Sequence, residues 1–236
     1  MKNIKVVKSE DFQYPTKEER QLAEKNFPDL ENFNCKYRSS LDLFIQNKKS
    51  TNEYNLFFWN LNLKNKIGNL KQAYINVYVH YHKLSDKNGE DLNENDFLNI
   101  FQFNFYSEIF YYFLFSVRDV ILQILNLYLD LGLKEKGVLM NTIMKKLTGR
   151  EPELSIIEKL EKDLAKSSEI RNSFAHRFPK NQSDDRIQHI QTAEIEGFNF
   201  TGEQEVKPSE IMENINDSLI IMKKFILELK ERYKIN

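Results

Sequence analysis

The sequence predicts an all-α fold, an up-and-down bundle of long antiparallel helices with an N-terminal helical extension. Only 7 glycines and 5 prolines occur among the 236 residues, so long regular elements with few tight turns are expected. Apolar side chains recur at steps of three and four residues through most of the chain, which is the period of a helix. We therefore divide the chain into a partly helical N-terminal extension, residues 1–92, and a helical bundle, residues 93–236.

The extension contains two predicted helices. The first covers residues 16–26, where the Thr16 hydroxyl and the Glu19 carboxylate form the two halves of a capping box. The second covers residues 53–84, where apolar side chains follow the helical period. Residues 4–7 could add a short strand before them.

The bundle begins with the longest predicted helix of the chain. We expect Asn95 or Asp96 to cap it and Gly132 to end it just after Leu131. Its surface is apolar almost all round, so this helix should be buried between other helices. Polar residues at steps of three and four form a stripe along one side, namely Tyr112, Ser116, Asp119, Gln123, Asn126 and Asp130.

Three further helices complete the predicted bundle. They cover residues 137–147, 152–178 and 208–233, and Pro152 suits the first turn of the second of them. Between the last two, residues 193–200 alternate in polarity and could form a small β-hairpin.

The composition excludes several classes of protein. The formal net charge of −1 provides no overall basic field, so nucleic acid would have to bind at a local cluster of cations. Cys35 is the only cysteine, which excludes an internal disulfide and a cysteine-based zinc site. His80 and His82 have no third ligand at a suitable spacing, so we expect no metal and no other cofactor. Without an apolar signal segment or an uninterrupted apolar span, we expect a cytoplasmic protein with no membrane partner.

The most informative segment is Arg171-Asn172-Ser173-Phe174-Ala175-His176, near the end of the helix predicted over residues 152–178. Arginine offers a planar, always charged donor fork that fits phosphate oxygens. Histidine takes up or releases a proton near neutral pH. The apolar stripe of this helix also changes to small and polar side chains here, which predicts a cleft. The stripe consists of Leu154, Ile157, Leu160, Leu164, Ser168, Arg171, Asn172 and Ala175.

In this context Arg171-Asn172-x-x-x-His176 resembles the signature of the HEPN superfamily, an arginine followed after four to six residues by a histidine. We expect the resemblance to cover residues 93–234. It implies an all-α domain that dimerises so that two motifs line one cleft. Many members are metal-independent endoribonucleases that act as toxins, in phage defence or in RNA processing.

The resemblance also implies a role for each motif residue. His176 would activate a ribose 2′-hydroxyl or protonate the leaving 5′-oxygen, and Arg171 would stabilise the charge that develops on the phosphate oxygens. Asn172 would orient the imidazole or the phosphate. RNA is then the expected substrate, with a homodimer as the active form and an antitoxin or regulatory protein as a further partner. Members modified by a nucleotidyltransferase often carry a tyrosine two residues after the histidine, whereas this chain has Phe178 there.

Four further residues are candidates for substrate binding, namely Arg118, Asp119, Arg177 and Lys180. Arg118 has apolar neighbours on its helix, so its charge should be paired, either with RNA phosphate or in a structural ion pair with Glu158 or with Asp119 of a second subunit. Asp119 could orient a group in the cleft or be simply solvated. Arg177 and Lys180, together with Lys145, Lys146 and Arg150, would form a basic patch if the helix ends meet.

Two other functions remain open from the sequence. The bundle could be a non-catalytic module that binds nucleic acid, a nucleotide or a protein partner through the same cleft. It could also be a structural oligomerisation module in which Arg171 and His176 satisfy each other and the helix end.

Overall fold

The computed structural model describes residues 8–30, 51–84, 93–176, 187–191, 196–200 and 206–233. These residues form a helical bundle with one small hairpin, so the predicted all-α fold is confirmed. The elements are α1 (Lys17–Asn26), α2 (Thr51–His82), α3 (Glu94–Tyr128), α4 (Met140–Lys146), α5 (Glu151–Asp163), α6 (Ala165–His176), β1 (Ile187–Gln191), β2 (Glu196–Phe200) and α7 (Pro208–Tyr233). Within these ranges, no helix is long and apolar enough to span a bilayer.

The two longest helices, α2 and α3, form the most extensive helix pair of the bundle. α3 also contacts α4, α6 and α7, so it packs between other helices as its apolar sequence predicts, although Phe97, Phe101, Phe105 and Tyr112 stay exposed. Its buried side chains form the centre of the core, and they include Phe103, Phe110, Tyr111, Leu114, Phe115, Val117, Ile121, Leu122 and Ile124. The boundary predicted between residues 92 and 93 stays a prediction.

The helix starts follow local hydrogen bonding. The capping box of α1 is confirmed, because the Thr16 hydroxyl accepts from the Glu19 N–H and the Glu19 carboxylate accepts from the Thr16 N–H. The predicted cap of α3 was wrong. Asn93 caps this helix and accepts from the Asp96 N–H at 3.0 Å, while Asp96 accepts from the Asn93 N–H at 3.1 Å. Asp96 is therefore the third residue of the helix and not its cap.

α3 also ends earlier than predicted, at Tyr128. The reason is the side chain of Asn126, which is buried although the sequence assigned it to the polar stripe. Its amide accepts from the Leu133 N–H at 3.1 Å and donates to the Leu133 carbonyl at 3.0 Å, which folds the chain back on itself. Asp130 and Gly132 take positive φ values of 50° and 69° in this turn.

The helix predicted as one piece over residues 152–178 is two helices, α5 and α6, separated by Leu164. Leu164 is buried, and its N–H donates to the Leu160 carbonyl while its carbonyl accepts from the Ser168 N–H, so the interruption is confined to a single residue. The burial along α6 also differs from the predicted stripe. Ser167, Ile170 and Ser173 point into the protein, whereas Ala175 is exposed and Ser168 is only half-buried, contrary to the predicted stripe.

A buried polar network joins α3, α6 and α7. The Asn214 side-chain oxygen accepts from the Tyr111 hydroxyl at 2.8 Å and from the Ser167 hydroxyl at 3.1 Å. The hydroxyls of Ser167 and Ser218 lie 2.7 Å apart, and Ser218 also donates to the Asn214 carbonyl. Because each buried polar group finds a partner only in one arrangement, this network fixes how α6 lies against α3 and α7.

The hairpin pairs β1 with β2 in antiparallel register, from Ile187 opposite Phe200 to Gln191 opposite Glu196. β2 lies inside the stretch predicted to form a hairpin, residues 193–200, but β1 precedes that stretch. The strand predicted over residues 4–7 lies outside the described residues. The last helix, α7, has the predicted bounds.

His80 is turned into the protein and is fully buried. Its Nδ1 lies 3.0 Å from the Asn99 side-chain oxygen, and its Nε2 has no hydrogen-bond partner in the described ranges. The nearby Gln13 backbone is held by reciprocal hydrogen bonds with the Gln102 side chain, at 2.8 and 3.0 Å. Burial lowers the pKa of His80 below its ordinary value, against the opposing effect of the hydrogen bond to Asn99.

We expect His80 to make the fold sensitive to acid. Because its pKa is lowered in the folded protein, the unfolded chain binds the proton first as the pH falls below about 6.5, and stability is lost in that range by at most about 1.4 kcal/mol per pH unit. The free energy of unfolding, measured between about pH 7.5 and about pH 5.5, should fall less in His80→Gln than in the wild type. His82→Gln, at an exposed histidine, is the control and should keep the wild-type slope. Equal slopes in the wild type and His80→Gln would contradict this expectation.

Candidate functional site

The motif lies on the last two turns of α6. Arg171 and Asn172 are half-buried, and His176 is the last residue of the helix. The side chain of His176 lies outside the described part of the structure, as do Arg177 and Lys180.

Arg171 is directed at the ring of Phe115 on α3. Its guanidinium carbon lies 5.0 Å from the ring centroid, within the range of a cation–π contact. The Nε of Arg171 is buried and has no hydrogen-bond partner within the part of the chain that the structure describes. Among the described residues no carboxylate pairs with Arg171, so its charge has only the aromatic ring as a partner.

Arg118 approaches the same ring from its own helix. Its guanidinium carbon lies 4.7 Å from the Phe115 centroid, and only 12% of its side chain is exposed. The Nε and Nη2 atoms of Arg118 donate to one oxygen of Asp119, at 2.9 and 2.8 Å. Its Nη1 lies 3.6 Å from a carboxylate oxygen of Glu161 on α5.

The expected pairing of Arg118 is therefore found, but with different partners. Asp119 of its own chain accepts its hydrogen bonds, and a pair with Asp119 of a second subunit stays a prediction. The second carboxylate belongs to Glu161 instead of the predicted Glu158, which is exposed. Both partner carboxylates reach solvent, with side chains 58% and 44% exposed. Ion pairs with exposed carboxylates stabilise a fold by little.

Two guanidinium groups thus meet at one buried ring, and they differ in how their charge is balanced. Arg118 is neutralised by two carboxylates, whereas Arg171 is not neutralised by any described residue. Cations that lack a protein partner beside an apolar surface bind phosphate oxygens well, because few protein acceptors compete for their N–H groups.

The end of α6 is held in place by packing as well as by the buried polar network. Ile170 is buried, and the Phe174 ring lies 5.9 Å from the Tyr111 ring on α3. Arg171 therefore lies on a helix whose inner face is held in place, at Ile170 by burial and at Phe174 by contact with Tyr111 of α3. Precise presentation of a charged group is what a binding or catalytic site requires.

The predicted basic patch remains a prediction. Lys145, Lys146 and Arg150 are exposed, and Arg150 donates to the Leu129 carbonyl at 3.3 Å. Arg177 and Lys180, the other residues of the predicted patch, lie outside the described residues. No group of three or more metal-ligating side chains occurs within the described ranges.

Two residues of this site were not identified from the sequence as functional. Phe115 lies three residues before Arg118 on the same helix, and this spacing alone would have placed its ring beside the guanidinium. Its contact with Arg171, and the approach of Glu161, depend on how α5 and α6 pack on α3. No local sequence signal reports that packing.

The fold and the motif together define a HEPN domain. A model of the Cthe2314-like HEPN family matches residues 59–235, and because this is more than half of the chain, the protein belongs to that family. The match begins inside α2, so it includes a helix that the sequence resemblance had left outside. No curated protein and no solved structure matches the chain.

The two arginines should respond differently to replacement by methionine, which keeps an unbranched apolar stem. Arg171→Met removes a buried N–H that has no acceptor, so we expect the free energy of unfolding to stay unchanged or to rise by up to about 1 kcal/mol. Arg118→Met removes a paired charge and its contact with Phe115, so we expect a loss of about 1 kcal/mol. Chemical denaturation of both variants measures the difference. A larger loss for Arg171→Met than for Arg118→Met would mean that Arg171 has a structural role.

Proposed function

We propose that this protein is a metal-independent endoribonuclease that cleaves RNA at the site formed by Arg171, Asn172 and His176. The observation that carries the proposal is the state of Arg171. Its guanidinium group lies over the Phe115 ring, and its buried Nε–H donates a hydrogen bond to no acceptor among the described residues. A cation without a counterion adds little to the stability of the fold, but it is available to bind an anionic ligand. Membership of a HEPN family and the spacing from Arg171 to His176 support the assignment.

The proposed reaction is attack by the ribose 2′-oxygen on the adjacent phosphorus. His176 accepts the proton of the 2′-hydroxyl as the new P–O bond forms. Arg171 donates to the phosphate oxygens, where negative charge increases in the transition state. The bond to the 5′-oxygen then breaks, and that oxygen takes up a proton. The products are a 2′,3′-cyclic phosphate and a 5′-hydroxyl, and Asn172 orients the imidazole or the phosphate.

A homodimer supplies the second acid or base. His176 of the partner subunit would protonate the leaving oxygen if two motifs line one cleft across a two-fold axis. An exposed aromatic row on α3 supports a partner surface, since Phe97, Phe101, Phe105 and Tyr112 are between 38% and 61% exposed. Large exposed rings of this kind are enriched at subunit interfaces.

A role as a toxin or in phage defence is the biological setting we propose for this activity. A ribonuclease that needs no metal is active whenever it is folded and assembled, so the cell requires a means of control. An antitoxin or another regulatory protein that covers the cleft would provide it.

The direct test is cleavage of single-stranded RNA by the purified protein in the presence of a metal chelator. We expect cleavage that leaves cyclic phosphate ends, reduced by roughly a hundredfold or more in Arg171→Ala and in His176→Ala. His82→Ala, at an exposed histidine, and Arg232→Ala, at an exposed arginine paired with Glu153, are matched controls and should cleave as the wild type does.

Wild-type protein that cleaves no RNA, or a His176→Ala variant that cleaves at the wild-type rate, would refute the proposal. RNA that is bound but not cut, with binding lost in Arg171→Ala, would instead support the non-catalytic binding module. Cleavage that disappears in chelator and returns with added metal would refute the mechanism.

The shared cleft can be tested by mixing subunits. If each cleft needs His176 from both chains, a ninefold excess of His176→Ala chains, exchanged with wild type by refolding, should lower the activity per wild-type chain to about one tenth. Independent sites would leave that activity unchanged. A ninefold excess of His82→Ala chains is the control and should raise the total activity in proportion to the chains added.

A further inference from the structure

Phe115 is the point at which the two arginines of the site meet. Its ring is 4% exposed and contacts the guanidinium groups of Arg118 at 4.7 Å and of Arg171 at 5.0 Å. The two cations come from different helices, α3 and α6. One residue outside the sequence motif therefore connects the motif arginine to a second arginine.

An aromatic ring has the electrostatic properties that this position needs. The face of the ring is negative, so it attracts a guanidinium group without neutralising its charge as a carboxylate would. An arginine side chain loses considerable rotamer freedom when it is fixed, and contact with a buried ring fixes it before the ligand arrives. A leucine of similar volume would fill the space but would attract neither cation.

We infer that Phe115 is the positioning residue of the proposed RNA site, and that its ring holds Arg118 and Arg171 together so that both donate to phosphates of one RNA strand. This inference rests on the proposed function, in which Arg171 contacts the scissile phosphate. Arg118 now donates to the exposed Asp119 carboxylate, and in the RNA complex it donates to phosphate oxygens instead. Phe115 itself touches no reacting atom.

The competing explanation is that Phe115 only fills the core. It can be separated from the inference by replacing Phe115 with trifluorophenylalanine, which keeps the shape of the ring but weakens the negative charge of its face. Phe115→Leu removes the ring. Phe110→Leu is the matched control, because Phe110 is fully buried on the same helix and contacts neither arginine.

Two measurements are made on the full chain. The first follows the arginine Nε–H signals by nitrogen-15 NMR while inorganic phosphate is added, with chloride at matched ionic strength as the reference. The second measures kcat and KM for RNA cleavage. Phosphate binding does not require cleavage, so the two measurements separate the inference from the proposed function.

We expect phosphate to shift the Nε–H signals of Arg118 and Arg171 in the wild type. Both the fluorinated protein and Phe115→Leu should bind phosphate more weakly and lose roughly tenfold or more in kcat, with a smaller change in KM. Phe110→Leu should lose stability but retain wild-type phosphate binding and kcat.

The inference is overturned if the fluorinated protein binds phosphate and cleaves RNA as the wild type does, or if phosphate shifts neither arginine signal. It is also overturned if Phe110→Leu loses as much kcat as Phe115→Leu, because the effect then reports core packing. If the wild type binds phosphate at both arginines but cleaves no RNA, the proposed activity fails while the positioning role is still decided by the phosphate measurement.

Discussion

The burial of α3 is the constraint on which the rest of the bundle depends. This helix is apolar on nearly every side, so its free energy is lowered only when other helices cover it all round. α2 makes the most extensive contact with it, and α4, α6 and α7 also pack on it. The aromatic row of Phe97, Phe101, Phe105 and Tyr112 stays exposed. The packing on the other sides fixes where the few polar residues of α3 reach solvent, and Arg118 and Asp119 lie at one such place.

The position of α6 follows from that constraint through the network around Asn214. The hydroxyls of Tyr111 and Ser167 share one acceptor, so α6 cannot slide along α3 without leaving a buried polar group unsatisfied. Since Arg171 lies one turn beyond Ser167, the same network determines where its guanidinium meets Phe115. The buried polar network in the core therefore sets the geometry of the site.

The sequence was sufficient for features that depend on local pattern, and insufficient for those that depend on packing. The bounds of α7 and the capping box of α1 were predicted because an apolar helical stripe and a helix cap depend only on residues that are close in sequence. The interruption at Leu164 has no glycine or proline near it, so no local residue signal predicts it. For the same reason the sequence identified Arg171 and Arg118 as candidates, but it did not identify Phe115 as the ring between them.

The charge balance of the site bears on how it would select RNA. With a formal net charge of −1 the protein has no long-range attraction for nucleic acid, and the carboxylates of Asp119 and Glu161 cancel one of the two cations near Phe115. In the proposed site, a strand that merely passes the surface would gain little. A strand that brings a phosphate close enough to displace Asp119 would gain two guanidinium groups at once, so we expect binding to depend on the shape of the RNA more than on its charge. The two carboxylates would then act as a threshold against unselective binding.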